Sequence, residues 1–201
     1  MLIGADISHH NQNMKDKVDL NKLDFVLMKA SEGVKFRDPA LPLYVNSLSE
    51  DKLRGFYHYC RADQMNDPGA EAFHFLNTVR PYLNGRAILA LDIEAAALNY
   101  PGIDAWACVW MQTVHLSSGI RPMLYCSVSE CRRFTGVREL GCGLWAAKWG
   151  QNKPTKKQMN PWDFWAIWQY TSEATFSGVR IDMDYFNGTA EQYLKYCEVI
   201  D

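Results

Sequence analysis

The chain has 201 residues, a formal net charge of −2, 22% charged residues and 48% hydrophobic residues. This length suits one large domain or two small ones, and these fractions are ordinary for a globular protein. The absence of a Lys/Arg-rich block argues against nucleic acid or an anionic membrane as the main partner. No apolar run reaches the roughly 18 residues that a membrane-spanning helix needs.

The predicted elements alternate along the first two thirds of the chain. Eight short apolar segments predict strands at 2–7, 25–30, 54–59, 87–94, 122–127, 143–149, 164–170 and 181–186. Apolar residues at helical spacing predict helices within 38–51, 67–83 and 102–119. The third helix has an Asp near its expected cap and should end at Gly119. Alternating strands and helices predict a parallel sheet, and eight strands predict a closed barrel, irregular in its helix-poor last third.

The chain shows no low-complexity tract, repeat or long linker, so we expect a single domain over 1–201. Six cysteines occur without a CxxC pair, which favours reduced thiols over a zinc site or a disulfide framework. The short basic stretches at 14–17 and 153–157 are interpreted as solvated loops.

Carboxylates stand near the ends of several predicted strands. Asp92 and Glu94 are two residues apart where the most hydrophobic strand ends, so their side chains should share one face. Acids recur at similar places on other strands: Asp6, Glu32, Asp182 and Asp184. A single strand-end Asp is more often a turn former or helix cap, and Asp184 could pair with a Lys or Arg. Because barrel active sites lie at the C-terminal ends of strands, the recurrence predicts one acidic mouth.

Clustered carboxyl groups repel each other and lose water on burial, and both effects raise the pKa of at least one of them. A glycosidase needs one protonated and one ionised carboxyl group, and the aromatic content of 13% suits a sugar site. The same cluster would suit a divalent metal. The residues alone leave three interpretations open: a glycosidase, a metal-dependent phosphodiesterase on a similar barrel, or an inactive sugar-binding module.

Eight segments in register resemble one known family over nearly the whole chain. They are "GADISHH" (4–10), "FVLMKASEG" with "FRDP" (25–39), "GFYHY" (55–59), "LALDIE" (89–94), "GIRPMLYCS" (119–127), "LWAAKW" (144–149), "WQYTS" (168–172) and "GVRIDMDYFNG" (178–188). The sequence is similar to glycoside hydrolase family 25, the Chalaropsis-type lysozymes of phage endolysins and bacterial autolysins. The resemblance implies an irregular TIM-like (β/α)5(β)3 barrel of the α/β class.

The resemblance also implies an N-acetylmuramidase, which cleaves the β-1,4 bond between N-acetylmuramic acid and N-acetylglucosamine without a cofactor or metal. Glu94 is then the general acid and later the base. Asp92 orients the substrate's 2-acetamido group or stabilises the oxocarbenium-like transition state, and we favour retention assisted by that group. Asp6 and Asp182 complete the acidic mouth. Substrate-contacting or wall positions are Glu32, Tyr57, Tyr125, Trp145 and Gln169, of which all but Glu32 are equally compatible with a core role.

Some positions depart from the family pattern. The Trp that the family usually has after the first strand, in an I-D-W segment, is replaced by "VDLNKL" (18–23). Tyr59 replaces a third-strand Phe, and Trp149 stands where Tyr is common. These changes affect the walls of the site rather than the acids. His9, His10 and His58 are expected near the mouth, but no H-x-x-x-H pair accompanies them, so we do not expect a metal.

The partner implied by the resemblance is the peptidoglycan glycan strand. We expect the protein to be a monomer that binds neither nucleic acid nor a membrane. The N-terminal sequence lacks the features of a Sec signal peptide, so we expect synthesis in the cytoplasm and action on the cell wall. A phage enzyme, or a bacterial one released by lysis or a non-Sec route, would meet that description. We expect no separate cell-wall-binding domain.

Overall fold

In the computed structural model, which describes residues 1–14 and 18–199, one sheet of nine strands closes on itself. The strands are β1 Leu2–Ile7, β2 Phe25–Glu32, β3 Phe36–Arg37, β4 Leu53–Tyr59, β5 Ala87–Asp92, β6 Met123–Ser127, β7 Leu144–Ala147, β8 Ile167–Phe176 and β9 Val179–Phe186. The helices are α1 Leu41–Ser47, α2 Pro68–Val79, α3 Ile103–Ser118, α4 Thr135–Glu139, α5 Lys156–Met159 and α6 Ala190–Leu194.

Eight of these strands form the barrel, in the order β1-β9-β8-β7-β6-β5-β4-β2, and β1 pairs with β2 to close it. Seven of these strands, β1, β2 and β4 to β8, run parallel, whereas β9 is antiparallel to both of its neighbours. The predicted irregular TIM-like barrel is therefore confirmed. The two-residue strand β3, which forms a hairpin with the end of β2, was not predicted.

The strand β8 is longer than the sequence predicted. It continues past residue 170 and pairs with β9 up to a tight turn at Ser177 and Gly178, which have φ values of 51° and 81°. Positive φ at both positions is typical of the two-residue turns that connect antiparallel strands. The outer part of this hairpin is only partly buried, so its sequence lacks the apolar run that marked the barrel strands.

The ends of the helix α3 show one correct prediction and one wrong one. Gly119 follows the helix in the left-handed region with φ of 75°, as expected. Gly102 holds the N-cap position, so Asp104 does not cap its own helix. Its carboxylate accepts the backbone N–H groups of Gly136 and Val137, at 2.9 and 3.1 Å, at the start of α4.

Alternation along β5 explains why an apolar strand ends in acids. Leu89 and Leu91 pack outward in the core shared with α2 and α3, while Ile88 and Ala90 belong to the separate apolar core inside the barrel. A parallel strand buried on both faces reads as a continuous apolar run. Asp92 extends the inward row by one step, so the acids lie on top of this inner core.

The cysteines and the two short basic stretches occupy different environments in the structure. All six cysteines are free, five of them buried. The basic stretch at 153–157 is mostly exposed, but its end enters α5, which begins after the capping residue Thr155. In the stretch at 14–17, residues 15–17 lie outside the described residues. In the described part of the chain, no helix is long and apolar enough to cross a membrane.

Candidate active site

A cavity of about 720 Å³ opens at the C-terminal ends of the parallel strands. All nine site residues named from the sequence line it: Asp6, Glu32, Tyr57, Asp92, Glu94, Tyr125, Trp145, Gln169 and Asp182. Their elements are scattered along the whole chain, and closure of the barrel brings them to one mouth. The convergence of acids that the sequence predicted is therefore present.

Asp92 and Glu94 lie side by side on one wall of this cavity. Asp92 is the last residue of β5, is 7% exposed, and lies between Tyr59 of β4 and Tyr125 of β6 in the strand register. The backbone N–H of Ile93 donates to the carbonyl of Tyr125 at 3.1 Å, which continues the ladder past the strand. Glu94 therefore follows on the same side, as the two-residue spacing predicted, but is partly exposed.

The antiparallel strand β9 carries the second group of acids. Its register sets Asp182 opposite Asp6 and Asp184 opposite Gly4, so Asp184 lies one step deeper in the barrel. Asp184 is fully buried and accepts the indole N–H of Trp145 at 2.8 Å. Its other carboxylate oxygen, Oδ2, is buried and has no hydrogen-bond partner among the described residues. The sequence placed Asp184 on the strand but suggested a Lys or Arg partner, and that suggestion was wrong.

Gln169 connects the walls of the cavity to these acids. Its Oε1 accepts the hydroxyl of Tyr125 at 2.9 Å and the indole N–H of Trp149 at 3.1 Å. Its Nε2 donates to Asp6 at 2.8 Å and to Asp182 at 3.4 Å. These four contacts satisfy a buried amide and fix its orientation, which explains why a polar residue sits inside the barrel.

Burial raises the pKa of every member of the acid cluster, and repulsion from a neighbouring carboxylate adds to this for every member except Asp182. Burial raises the pKa of Asp92 well above its usual value and the charge of Glu94 adds to this, while Lys29 opposes it. Burial also raises the pKa of Glu94. Burial is also the main reason why the pKa values of Asp6 and Asp182 are raised, and it raises the pKa of Asp184 to about 7. The site can thus hold protons at pH values where exposed carboxyl groups have lost them.

The part of the rim formed by β2 and the loop after β4 carries cations that the sequence analysis did not single out. Glu32 accepts Lys29 Nζ at 2.7 Å and Arg61 Nη1 at 2.7 Å, and Arg61 Nε also donates to Asp63 at 3.1 Å. Although burial raises the pKa of Glu32, the hydrogen bonds from Lys29 and Arg61 produce a net lowering. Glu32 is therefore an ionised rim residue. The spacing of Lys29 and Glu32 in "KASEG" was the available signal.

The aromatic wall residues serve both of the roles that the sequence left open. Tyr57, Tyr125 and Trp145 are each at most 8% exposed and belong to the inner core of the barrel. Their upper edges nevertheless line the cavity. The ring centroids of Tyr125 and Trp145 are 4.7 Å apart in an edge-to-face arrangement, which holds both rings rigidly under the site.

The three histidines near the predicted mouth have different positions. His10 lines the cavity, and His9 Nδ1 lies 2.8 Å from Asp38. His58 points to the other face of β4, fully buried, so its expected place at the mouth was wrong. Its Nδ1 lies 2.8 Å from Ser31 Oγ and its Nε2 lies 2.8 Å from a Glu71 carboxylate oxygen. Among the described residues, no group of three or more His, Cys, Asp or Glu has a metal-binding arrangement.

Active sites of barrel enzymes lie at the C-terminal ends of the strands, and here that end carries carboxyl groups with raised pKa values. This arrangement is typical of an enzyme that uses carboxyl groups for acid–base catalysis. The family model described as "Glycosyl hydrolases family 25" matches residues 5–179. The chain belongs to this family and is therefore a glycoside hydrolase.

Relatives in this family include a lysozyme and solved lysozyme structures. Lysozyme M1 from Streptomyces globisporus is 27% identical, in an alignment that covers 95% of this chain and 69% of that protein. The chain spans between 49% and 65% of the other curated relatives it matches. A family GH25 lysozyme from Aspergillus fumigatus is 26% identical, with a TM-score of 0.82 and 98% coverage of each chain. The bacterial lysozyme from Streptomyces coelicolor shares the fold, with a TM-score of 0.81, 23% identity, and 98% and 96% coverage of the two chains.

Proposed function

We propose that this chain is a peptidoglycan hydrolase that cleaves the β-1,4 bond between N-acetylmuramic acid and N-acetylglucosamine. Membership in a family whose members include lysozymes supports the substrate. The observation that carries the chemistry is the neighbouring pair Asp92 and Glu94. The two carboxyl groups share one cavity wall but differ in exposure, and burial raises the pKa of both.

Glu94 is the general acid in this proposal because it is the partly exposed member of the pair. Its raised pKa lets it hold a proton, which it transfers to the glycosidic oxygen as the bond from that oxygen to C1 of muramic acid breaks. The carbonyl oxygen of the substrate's 2-acetamido group bonds to C1 from the opposite face. Water then attacks C1, reopens the ring that this bond formed, and gives its proton to Glu94. The result is retention at C1.

Asp92 assists by holding the acetamido group. Among the described residues, its Oδ1 is buried without a hydrogen-bond partner. A buried acceptor of this kind costs about 1–3 kcal/mol unless something donates to it. The N–H of the 2-acetamido group is such a donor, and it becomes more acidic as its carbonyl oxygen bonds to C1. Asp6 and Asp182, tied to Gln169, maintain the charge and shape of the floor.

The proposed partner is the glycan strand, and the place of action is the bacterial cell wall. We propose that a monomer is sufficient, since the nine predicted site residues come from one chain. Sedimentation of the active enzyme at assay concentration tests this point, and activity confined to a dimer would contradict it.

Mass spectrometry of digested, purified peptidoglycan tests the proposed bond directly. We expect products with N-acetylmuramic acid at the reducing end and unchanged digestion in EDTA. Products with N-acetylglucosamine at the reducing end, or cleaved peptide stems, would contradict the proposal. Loss of activity in EDTA would instead point to the metal-dependent alternative.

A further inference from the structure

The seven tryptophans of the chain divide sharply by exposure. All of them lie in the described part of the chain, and six are at most 5% exposed. Trp149 is 66% exposed. A single exposed apolar side chain is common on protein surfaces and needs no special explanation. The position and the anchoring of Trp149 distinguish it from such a residue.

Trp149 stands between two cavities. It lines the acidic cavity described above and also a second groove of about 370 Å³. The two cavities share Glu94, Tyr125 and Trp149, so the groove begins beside the general acid. Its volume lies within the range of roughly 300–1,000 Å³ for small-molecule sites.

The lining of the second groove differs from that of the first. Its walls come mainly from Ile93, Leu98, Val128 and Ala147, and Lys148 is the cation at its edge. By contrast, the first cavity is lined by four carboxyl groups of the acid cluster. A sugar ring with an N-acetyl group presents both C–H faces and a methyl group, which suit an apolar groove with an aromatic edge.

The orientation of the Trp149 ring is fixed at one edge. Its indole N–H donates to Gln169 Oε1 at 3.1 Å, and Gln169 is held by Tyr125, Asp6 and Asp182. The ring is thus tied down on the side of the acids while most of its surface faces solvent. A platform fixed in this way loses little side-chain freedom when a ligand stacks on it.

We propose that Trp149 and the apolar groove beside Glu94 form a separate subsite for an N-acetylhexosamine ring, with Trp149 as its stacking platform. This inference rests on the proposed function, because Glu94 marks the point of cleavage between the two cavities. The glycan strand crosses Glu94, one sugar lies over the acid cluster, and the neighbouring sugar lies in the groove against Trp149. Trp149 is then a specificity-determining residue, and it acts on binding rather than on proton transfer.

Steady-state kinetics on a tetrasaccharide of alternating N-acetylglucosamine and N-acetylmuramic acid tests this subsite. Trp149→Ala should raise KM about ten-fold, the effect of losing roughly 1.4 kcal/mol of stacking, and leave kcat nearly unchanged. Trp149→Phe keeps a stacking ring without the N–H, and it should recover most of the affinity. Val128→Phe should fill the groove and raise KM as Trp149→Ala does. Phe164→Ala is the matched control, because Phe164 is 58% exposed and lines neither cavity.

Fluorescence gives a second readout that does not depend on turnover. In the Glu94→Gln variant, acrylamide should quench Trp149 selectively because the other tryptophans are buried. The tetrasaccharide should protect the fluorescence of Trp149 from quenching. The double variant Glu94→Gln, Trp149→Phe should lack this quenchable fluorescence.

Three results separate the two proposals. If the wild type does not cleave the tetrasaccharide, the proposed function fails. If it cleaves normally but Trp149→Ala keeps the wild-type KM and the tetrasaccharide gives no shielding, only the subsite fails. A Trp149→Phe variant as impaired as Trp149→Ala would also overturn the stacking role, because the bond to Gln169 would then account for the effect.

Discussion

Two kinds of acid line the same cavity, and they differ in what they contact. Glu32 accepts hydrogen bonds from Lys29 and Arg61, and the net effect lowers its pKa. Asp92 and Glu94 have no cation within hydrogen-bonding distance among the described residues, and burial raises their pKa values. The comparison shows that position at a strand end does not fix the role of a carboxyl group. Its partners decide whether it is a charged rim residue or a proton donor.

The largest expected contrast is between Glu94→Gln and Glu32→Gln. Loss of a general acid typically costs a factor of about 10²–10⁴, so Glu94→Gln should reduce the release of reducing ends from peptidoglycan to that extent. Glu32→Gln removes an ion-paired rim residue and should cost less than about ten-fold. Both variants should keep the circular dichroism spectrum of the wild type. Equal losses of activity in the two variants would show that Glu94 and Glu32 do not have different roles.

A smaller effect on activity should follow from replacing Lys29, the cation that bonds to Glu32 and also influences Asp92 and Glu94. Lys29 is 7% exposed and lowers the pKa values of Asp92 and Glu94. Lys29→Met should therefore raise the pKa of the general acid and move the alkaline limb of the kcat/KM profile to higher pH. Lys157→Met, at an exposed position on α5, is the control. A shift to lower pH in Lys29→Met would contradict the assigned influence of the ammonium group.

The smallest effect concerns stability rather than activity. Burial raises the pKa of Asp184 from its ordinary value of 3.8 to about 7. A carboxyl group with a raised folded-state pKa stabilises the fold below its unfolded-state pKa, and that contribution is lost as the pH rises through about 7. The free energy of unfolding of the wild type should therefore fall as the pH rises from 3.8 to about 7. That of the Asp184→Asn variant should fall less steeply. Urea unfolding at several pH values measures the slope, with the exposed Asp51→Asn as control. An unchanged slope in Asp184→Asn would refute the assignment.

The sequence was sufficient for the barrel because its strands are buried on both faces and their apolar runs are hard to mistake. It did not reveal the outer part of β8, which is half exposed, or the short strand β3, whose two residues are both exposed. The pairing of Arg61 with Glu32 joins residues 29 positions apart and depends on the tertiary fold. No local pattern could predict it.

Strict alternation would have corrected one site prediction. Tyr57 and Tyr59 line the cavity, so His58 between them must face the other way, where it meets Ser31 and Glu71. The two-residue spacing of Asp92 and Glu94 was used correctly for the same reason. The same rule put Asp184 on the side of Asp182, but only the fold gave its partner, the indole of Trp145.

Carboxyl ¹³C NMR titration of the free enzyme tests the central claim most directly, with Glu94→Gln and Glu32→Gln used to assign the signals. Glu94 and Asp92 should titrate above the ordinary values for their residue types, and Glu32 should titrate below its own. If Glu94 titrates at or below its ordinary value, the cavity does not hold a proton donor at this position, and the division between the two groups of acids is wrong.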